Sequence, residues 1–424
     1  MKRPEEVKVA VVGAGVAGIV AAYLLQRRYQ VTLYERNDYI GGHTHTIVIK
    51  EGEDAGTPVD TGFIVFNEKT YPNFIRFLSQ LGVGRQKSSM TFSYSCRIRN
   101  LCYGTENAGT FFVQKKNLFN PFFWQMFFGI LSFNRTTPRL LDKGALRGFT
   151  MGEYLKSHRY STRFIEDYLL PVSAAVWSAP DVKMLDFPME TFARFFANHG
   201  LFSVLQHPQW YTVAGGSHSY VKAFLREFKG DVQEGRPVAS IRRTEKGVEV
   251  QTKDGARERF DKVVIAAHAD EALSLLADPS DEEQRLLSRW QYSDNRTVLH
   301  TDTTFLPPDP VVWSSWNYVR TREVSSGSPV SLTYYMNRLQ NLNARHHYCV
   351  TLNTDRDIPS GHLIREIMYT HPLYTFDALS SQDSLREMNG ANNTFFCGAY
   401  LGYGFHEDAV RSAIEVADRF GITL

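Results

Sequence analysis

The sequence predicts an α/β fold built on a buried parallel sheet, and three observations carry that prediction. A short valine-rich run, Val7 to Val12, reads as a strand covered on both faces. It ends in Gly13-Ala14-Gly15-Val16-Ala17-Gly18, a GxGxxG spacing that opens a helical segment, VAGIVAAYLLQRR. A second strand, QVTLYE, follows and ends at Glu35, seventeen residues after Gly18.

Each glycine has a distinct expected task. Gly13 permits the tight turn, Gly15 lets backbone approach a pyrophosphate, and Gly18 lets helix pack on strand. The helix start, with Ala17 in its first turn, offers free N–H groups and a positive dipole end to phosphates. An acid at the end of the second strand suits an unphosphorylated ribose. The unit is therefore a Rossmann-type dinucleotide module. It disfavours NADP and leaves NAD and FAD open.

Composition narrows the alternatives. The chain has 424 residues, 43% apolar and 22% charged, with formal net charge +2. That length predicts more than one core. No long basic run or basic tail is present, which argues against a nucleic-acid binder. Cys96, Cys102, Cys349 and Cys397 form no CxxC pair and no zinc-like ladder, so they read as buried free thiols. The start, MKRPEEVKVAVVGAG, runs into a strand and does not read as a signal peptide, so a cytoplasmic location is expected. His406-Glu407-Asp408 reads as a helix start with acids in its first turn, and no metal is expected. No GxSxG elbow or cysteine–histidine constellation asks for hydrolysis.

The residues after Glu35 decide between the dinucleotides. ERNDYIGGHTHT, with Gly41 and Gly42, then VDTGFIVFNEKTYPNF, resembles the extended N-terminal motif of the FAD-binding flavin-containing amine oxidoreductase superfamily. Three later pieces are similar to that family: WYTVAGGSHSYVKAFLREF (210–228), RPVASIRRTEKGVEVQTKDG with FDKVVIAAHADEAL (236–273), and NTFFCGAYLGYGFHEDAVRSAIEVADRF (393–420). The resemblance implies FAD as cofactor and a discontinuous, glutathione-reductase-like domain from 1–80, 205–290 and 388–424. Segments 81–204 and 291–387 would form an inserted α+β substrate domain. It implies cofactor contacts at Arg36, His43 and Thr44, where many relatives carry arginine at the His43 position, and at Val238 on the adenosine side. Near the flavin ring it implies Gly398 and the Gly404-Phe405-His406 turn, with the last helix pointing its N-terminus at the ring.

The nearer resemblance is to a bacterial branch similar to the oxidase-like part of plant cyclopropane fatty acid synthases and to desaturases of methylated acyl chains. It is carried by GGHTHT, PVSAAVWSAP (171–180), VVWSSWNY (311–318) and GYGFHEDAVRSA. It implies an FAD-dependent oxidoreductase that takes a hydride from an apolar, fatty acyl substrate. Amine oxidation, polyene desaturation, and a flavin-bearing partner protein without turnover are the alternatives. In amine oxidases a lysine lies near flavin N5; the matching strand here, 295–305, places His300 there. Tyr400 and Tyr403 would face the flavin, with Trp313 and Trp316 across the cleft.

One stretch stands apart. Asn117 to Phe133, NLFNPFFWQMFFGILSF, holds seven aromatics in seventeen residues and no charge. Asn120 as N-cap and Pro121 at the first turn predict a helix over 121–133, ~20 Å long and too short to span a bilayer. It reads as core, as a substrate-tunnel wall through Phe123 and Phe127, or as a membrane-surface helix at the inner face, flanked by Lys115, Lys116, Arg135 and Arg139.

Overall fold

The computed structural model describes residues 3–177, 181–203, 208–321 and 331–424. The last residues of PVSAAVWSAP, 178–180, and the expected boundary at 204–205 touch segments outside the described residues.

A five-stranded parallel sheet forms from strands at 231–233, 30–34, 8–12, 262–265 and 394–396, in that spatial order. Val9, Ala10 and Val11 have no exposed surface, as a central strand covered on both faces requires. The crossover helix Val16–Leu25 is apolar all round and almost entirely buried. It lies between the sheet and the last helix, His406–Arg419, which leaves it no wet face. A three-stranded antiparallel sheet (Val238–Thr244, Gly247–Thr252, Arg257–Phe260) branches off before the fourth parallel strand.

A seven-stranded mixed sheet runs in the order 363–373, 291–300, 349–352, 332–335, 316–320, 92–96 and 101–104. Every strand of the parallel sheet comes from 1–80, 205–290 or 388–424, and every strand of the mixed sheet from 81–204 or 291–387. A small sheet of Val65–Asn67, Trp210–Val213 and Arg85–Ser88 crosses that division.

Two elements differ from their expected extents. The strand expected at 295–305 runs from Gln291 to His300, and Thr303–Phe305 is a 3-10 turn capped by Asp302. The aromatic helix continues past 133 to Asp142, 22 residues in all and ~33 Å long. Its buried positions (Phe123, Met126, Ile130, Phe133, Thr137) keep helical spacing through the polar half, so packing carries the helix on. Among the described residues no helix is long and apolar enough to cross a membrane.

Candidate active site

The glycine turn is built by backbone contacts. Gly13 has φ +99°, a region that favours glycine, and donates its N–H to the Tyr34 carbonyl at 2.9 Å. A Cβ on Gly18 would lie 1.8 Å from the Gly13 carbonyl oxygen, so helix and strand meet there with no space for a side chain. Gly15 is the opposite case: no atom lies within 4 Å of where its Cβ would stand. Gly41 donates to the Ala14 carbonyl at 2.9 Å and bridges Gly15, which folds the second glycine pair over the rim of that open space.

Glu35 closes the adjoining end. Its two carboxylate oxygens accept from the Ala14 and Asn37 amides, each at 2.9 Å. A carboxylate oxygen accepts more than one bond, so both retain capacity for ribose hydroxyls. Gly235 and Arg236 donate their amides to the Asn37 and Glu35 carbonyls, which brings the start of the Val238–Thr244 strand alongside. Arg36 turns outward to Glu271 at 2.6 Å.

Beyond Gly42 lies a histidine cluster. His43 stacks on Tyr369 (centroids 4.9 Å) and lies 5.3 Å from His371 and 6.3 Å from His268, which itself stacks on Tyr292 at 4.5 Å. Burial keeps all three imidazoles below their ordinary pKa and therefore neutral. His43 Nε2 and His371 Nδ1 are buried with no hydrogen-bond partner. Buried polar atoms are normally paired. Two orphans beside an open glycine turn fit a ligand rich in hydroxyl and phosphate oxygens.

The last helix defines the other end. Asp408 Oδ2 accepts from the Tyr403 and Phe405 amides, and Glu407 caps the helix Pro72–Gln80 by accepting from Asn73 and Phe74. These acids are spent on caps. The His406 ring turns inward, stacked on Phe63 at 3.6 Å and 2.9 Å from the Tyr220 hydroxyl, which also meets Thr44 Oγ1 at 2.5 Å. Burial lowers its pKa to about 3. The side chains of His406 and Thr44 are thus core groups, and their backbones alone lie at the site's edge.

Around Gly404 gathers an aromatic wall. A Cβ there would lie 2.7 Å from the Tyr374 hydroxyl. Trp290 meets Tyr374 and Tyr400 edge-on, each at 5.6 Å; Phe195 stacks on Phe405 at 4.6 Å; Trp177 packs on Phe187 at 4.7 Å and on Phe195 at 4.8 Å. Tyr403 lies at its margin, 6.2 Å from Phe195. The Tyr374 and Tyr400 hydroxyls and Trp177 Nε1 are buried without partners. Gly398, held by Ser412 at 2.9 Å, leads into this wall.

Other expected site residues lie elsewhere. His300 is eight positions along its strand from Tyr292, ~26 Å. The Asp302 amide donates to its Nδ1 at 3.1 Å, so Nδ1 is bare and Nε2 carries the proton toward Thr351 Oγ1 at 2.7 Å. Burial lowers its pKa to about 4. Both nitrogens are used and neither faces the histidine cluster. A His300→Gln variant is therefore expected to lose ~1–3 kcal/mol of stability, seen as a lower Tm, while flavin reduction changes less than about threefold. Trp313 donates to the Pro307 carbonyl and packs on Tyr335 and His347. Trp316 packs on Tyr334. Phe123 and Phe127 nest with Phe111, Phe112 and Trp124. None of these four joins the wall around Gly404. His268, His371, Trp177, Phe195, Trp290 and Tyr374 carry no motif in the sequence, because they come from five distant segments.

A parallel-sheet dinucleotide fold with this cradle, acid and aromatic end defines an FAD-dependent oxidoreductase. The model of the flavin containing amine oxidoreductases matches residues 16–345, and the chain belongs to that family. A curated relative, 1-hydroxycarotenoid 3,4-desaturase of Flavobacterium sp. (strain P99-3), is 40% identical over 75 residues, 18% of this chain and only 14% of that relative. The whole chain superposes on the CLA-producing fatty acid isomerase from P. acnes with TM-score 0.67 at 16% identity, covering 98% of this chain and 99% of the other. Putrescine oxidase bound to putrescine gives TM-score 0.70 at 14% identity, with 98% of each chain covered. Cyclohexylamine oxidase from Brevibacterium oxydans gives 0.67 at 15%, covering 98% and 100%. At these identities the solved structures share the fold.

Proposed function

We propose that this flavoenzyme dehydrogenates, or isomerises through redox, a fatty acyl chain. One observation carries the reading: the wall around Gly404 presents aromatic faces and unpartnered hydroxyls, and the nearby carboxylates, Glu407 and Asp408, are spent on caps. The fatty acid isomerase and the carotenoid desaturase, each named for a long apolar compound, support it. Amine oxidation is the second reading, favoured by the putrescine and cyclohexylamine oxidases, because aromatic faces also attract cations.

When bound, FAD would supply a hydride acceptor. Glu35 would hold the adenosine ribose, the amides at Gly15 and the first helix would hold the pyrophosphate, and His43 and His371 would bind further oxygens of the dinucleotide. The N-terminus of helix His406–Arg419 would stabilise the negative charge that builds on reduction. Trp177, Phe195, Trp290 and Tyr400 would exclude water and position an acyl C–H bond, and the Tyr374 hydroxyl would set its depth. Parallel sheet and mixed sheet act as cofactor and substrate domains. The enzyme works in the cytoplasm, drawing substrate from the inner face of the membrane, with 117–133 in contact with it.

Anaerobic mixing with unsaturated or methyl-branched phospholipids tests the reading. Flavin bleaching with a product two mass units lighter, or a shifted double bond without net bleaching, is the expected result. Bleaching by putrescine or cyclohexylamine with lipids inert would establish the second reading instead.

A further inference from the structure

Resting on the reading that the phosphates of FAD lie at Gly15, we propose that His43 takes up one proton when FAD binds, so that the protein holds its cofactor more weakly as pH rises.

The imidazole cluster flanks the phosphate cradle. Gly42, the residue before His43, closes on the glycine turn: a Cβ there would lie 3.1 Å from the Gly15 Cα. The chain leading to His268 touches the same turn, since a Cβ on Gly13 would lie 2.6 Å from the Ala266 carbonyl oxygen. The cradle offers backbone amides and a helix N-terminus, and Arg36 is held outward by Glu271. The two diester phosphates of FAD bring two negative charges, and Glu35 adds a carboxylate beside them. Buried charge is held where it is compensated. Imidazole is the side chain that gains a charge near neutral pH.

The hydrogen bonds of His43 fix where that proton goes. The Thr370 backbone carbonyl accepts from its ring. Nε2 is buried with no partner, so that bond is made by Nδ1. In the neutral ring Nε2 is then a bare acceptor. A bare nitrogen and a phosphate oxygen both present lone pairs and cannot bond. A second proton gives two donors, Nδ1–H to Thr370 and Nε2–H toward the anion. His268 is placed differently, with Nδ1 3.2 Å from Thr370 Oγ1 and 3.9 Å from Glu271. His371 belongs to the mixed sheet, whereas His43 is joined to the turn through Gly42.

Without the anion, the surroundings of His43 oppose a charge. Tyr369, stacked on it, is a neutral phenol bonded to Thr61 at 2.8 Å and to His45 at 3.3 Å. His371, His268 and His406 are neutral imidazoles. Asp270, Glu271 and Arg36 act on His268, Tyr39 and Asp60 on Tyr369, and Arg365 and Asp38 on His45. Burial and the neighbouring rings hold His43 well below the ordinary histidine value. Two phosphate charges raise it. Between those two values a proton is taken up on binding, and affinity falls by up to ~tenfold for each pH unit gained. The diester phosphates of FAD do not titrate near neutrality.

The test is release of FAD from the intact holoenzyme on dilution, followed by the fluorescence of free flavin at pH 6, 7 and 8. Wild-type affinity is expected to fall ~tenfold or more from pH 6 to pH 8. His43→Arg carries a permanent charge; its affinity is expected to change less than about threefold over that range and to exceed the wild type's at pH 8. His43→Gln puts a neutral donor in that place and is expected to bind more weakly than the wild type at pH 6, with the same flat profile. His371→Gln is expected to keep the wild-type slope. Should His43→Arg fail to fold, His43→Gln carries the same test. A flat wild-type profile with FAD still tightly held would overturn this inference alone, because Nε2 would then accept from a hydroxyl of the cofactor. A slope that survives in the His43 variants would overturn it too, because the proton would rest elsewhere. A wild type that retains no FAD at any pH would remove the phosphate reading as well.

Discussion

Replacing Gly18 by valine is expected to prevent stable folding. The new Cβ would stand 1.8 Å from the Gly13 carbonyl oxygen and 3.3 Å from Ala266 Cβ. Neither neighbour can yield: Gly13 is fixed by its bond to Tyr34, and Ala266 donates to the Val12 carbonyl at 2.8 Å. Overpacking in a core costs ~1–3 kcal/mol when side chains can shift. Here backbone must separate, so the loss should exceed ~4 kcal/mol, a large share of the ~5–15 kcal/mol that holds a domain together. Circular dichroism and thermal melting of the soluble fraction check this. A Gly18→Val protein with wild-type Tm would mean that the helix does not pack on the strand as described.

Gly15→Val is expected to do the reverse, three residues away. Gly15 has φ −69° and ψ 178°, an ordinary extended conformation for valine, and no atom lies within 4 Å of its Cβ position. The fold should persist, with Tm of the apoprotein within a few degrees of the wild-type apoprotein. The added methyl groups project into the space a pyrophosphate needs, and charge-assisted bonds to backbone amides are worth ~1.5–3 kcal/mol each. Loss of two gives a fall in FAD affinity of about a hundredfold or more, read by titrating the apoprotein with FAD calorimetrically. A folded Gly15→Val protein that retains FAD at wild-type affinity would exclude this turn as the phosphate cradle. The pair of variants separates a glycine required by packing from one required by the ligand.

The contrast shows what local sequence can carry. The strand, turn, helix and Glu35 are legible because they are contiguous and their spacing follows from backbone geometry. The closing helix is legible from its period and its acidic first turn. The resemblance places His300 at the lysine position of amine oxidases, but position along a strand depends on partner register. The pairing of His300 with Cys349 and Leu363 puts it at the end of its strand away from Tyr292. The resemblance implies a cofactor contact in the Gly404-Phe405-His406 turn; the His406 ring itself packs in the Phe63 and Tyr220 core. The aromatic wall was largely illegible, because Trp177, Phe195, Trp290, Tyr374 and Tyr400 meet only through tertiary structure. The aromatic helix outlasts its apolar run because Thr137, bonded to Tyr154 at 2.9 Å, keeps the polar half packed and helical.

In the proposed reading, three separated chain segments hold FAD beside an aromatic wall. Purification of the full chain, an absorption spectrum, and mass analysis of the chromophore released by denaturation test it most directly. A yellow protein that releases stoichiometric FAD is the predicted result. A folded protein that stays colourless after incubation with FAD, or that releases a different nucleotide, would contradict it.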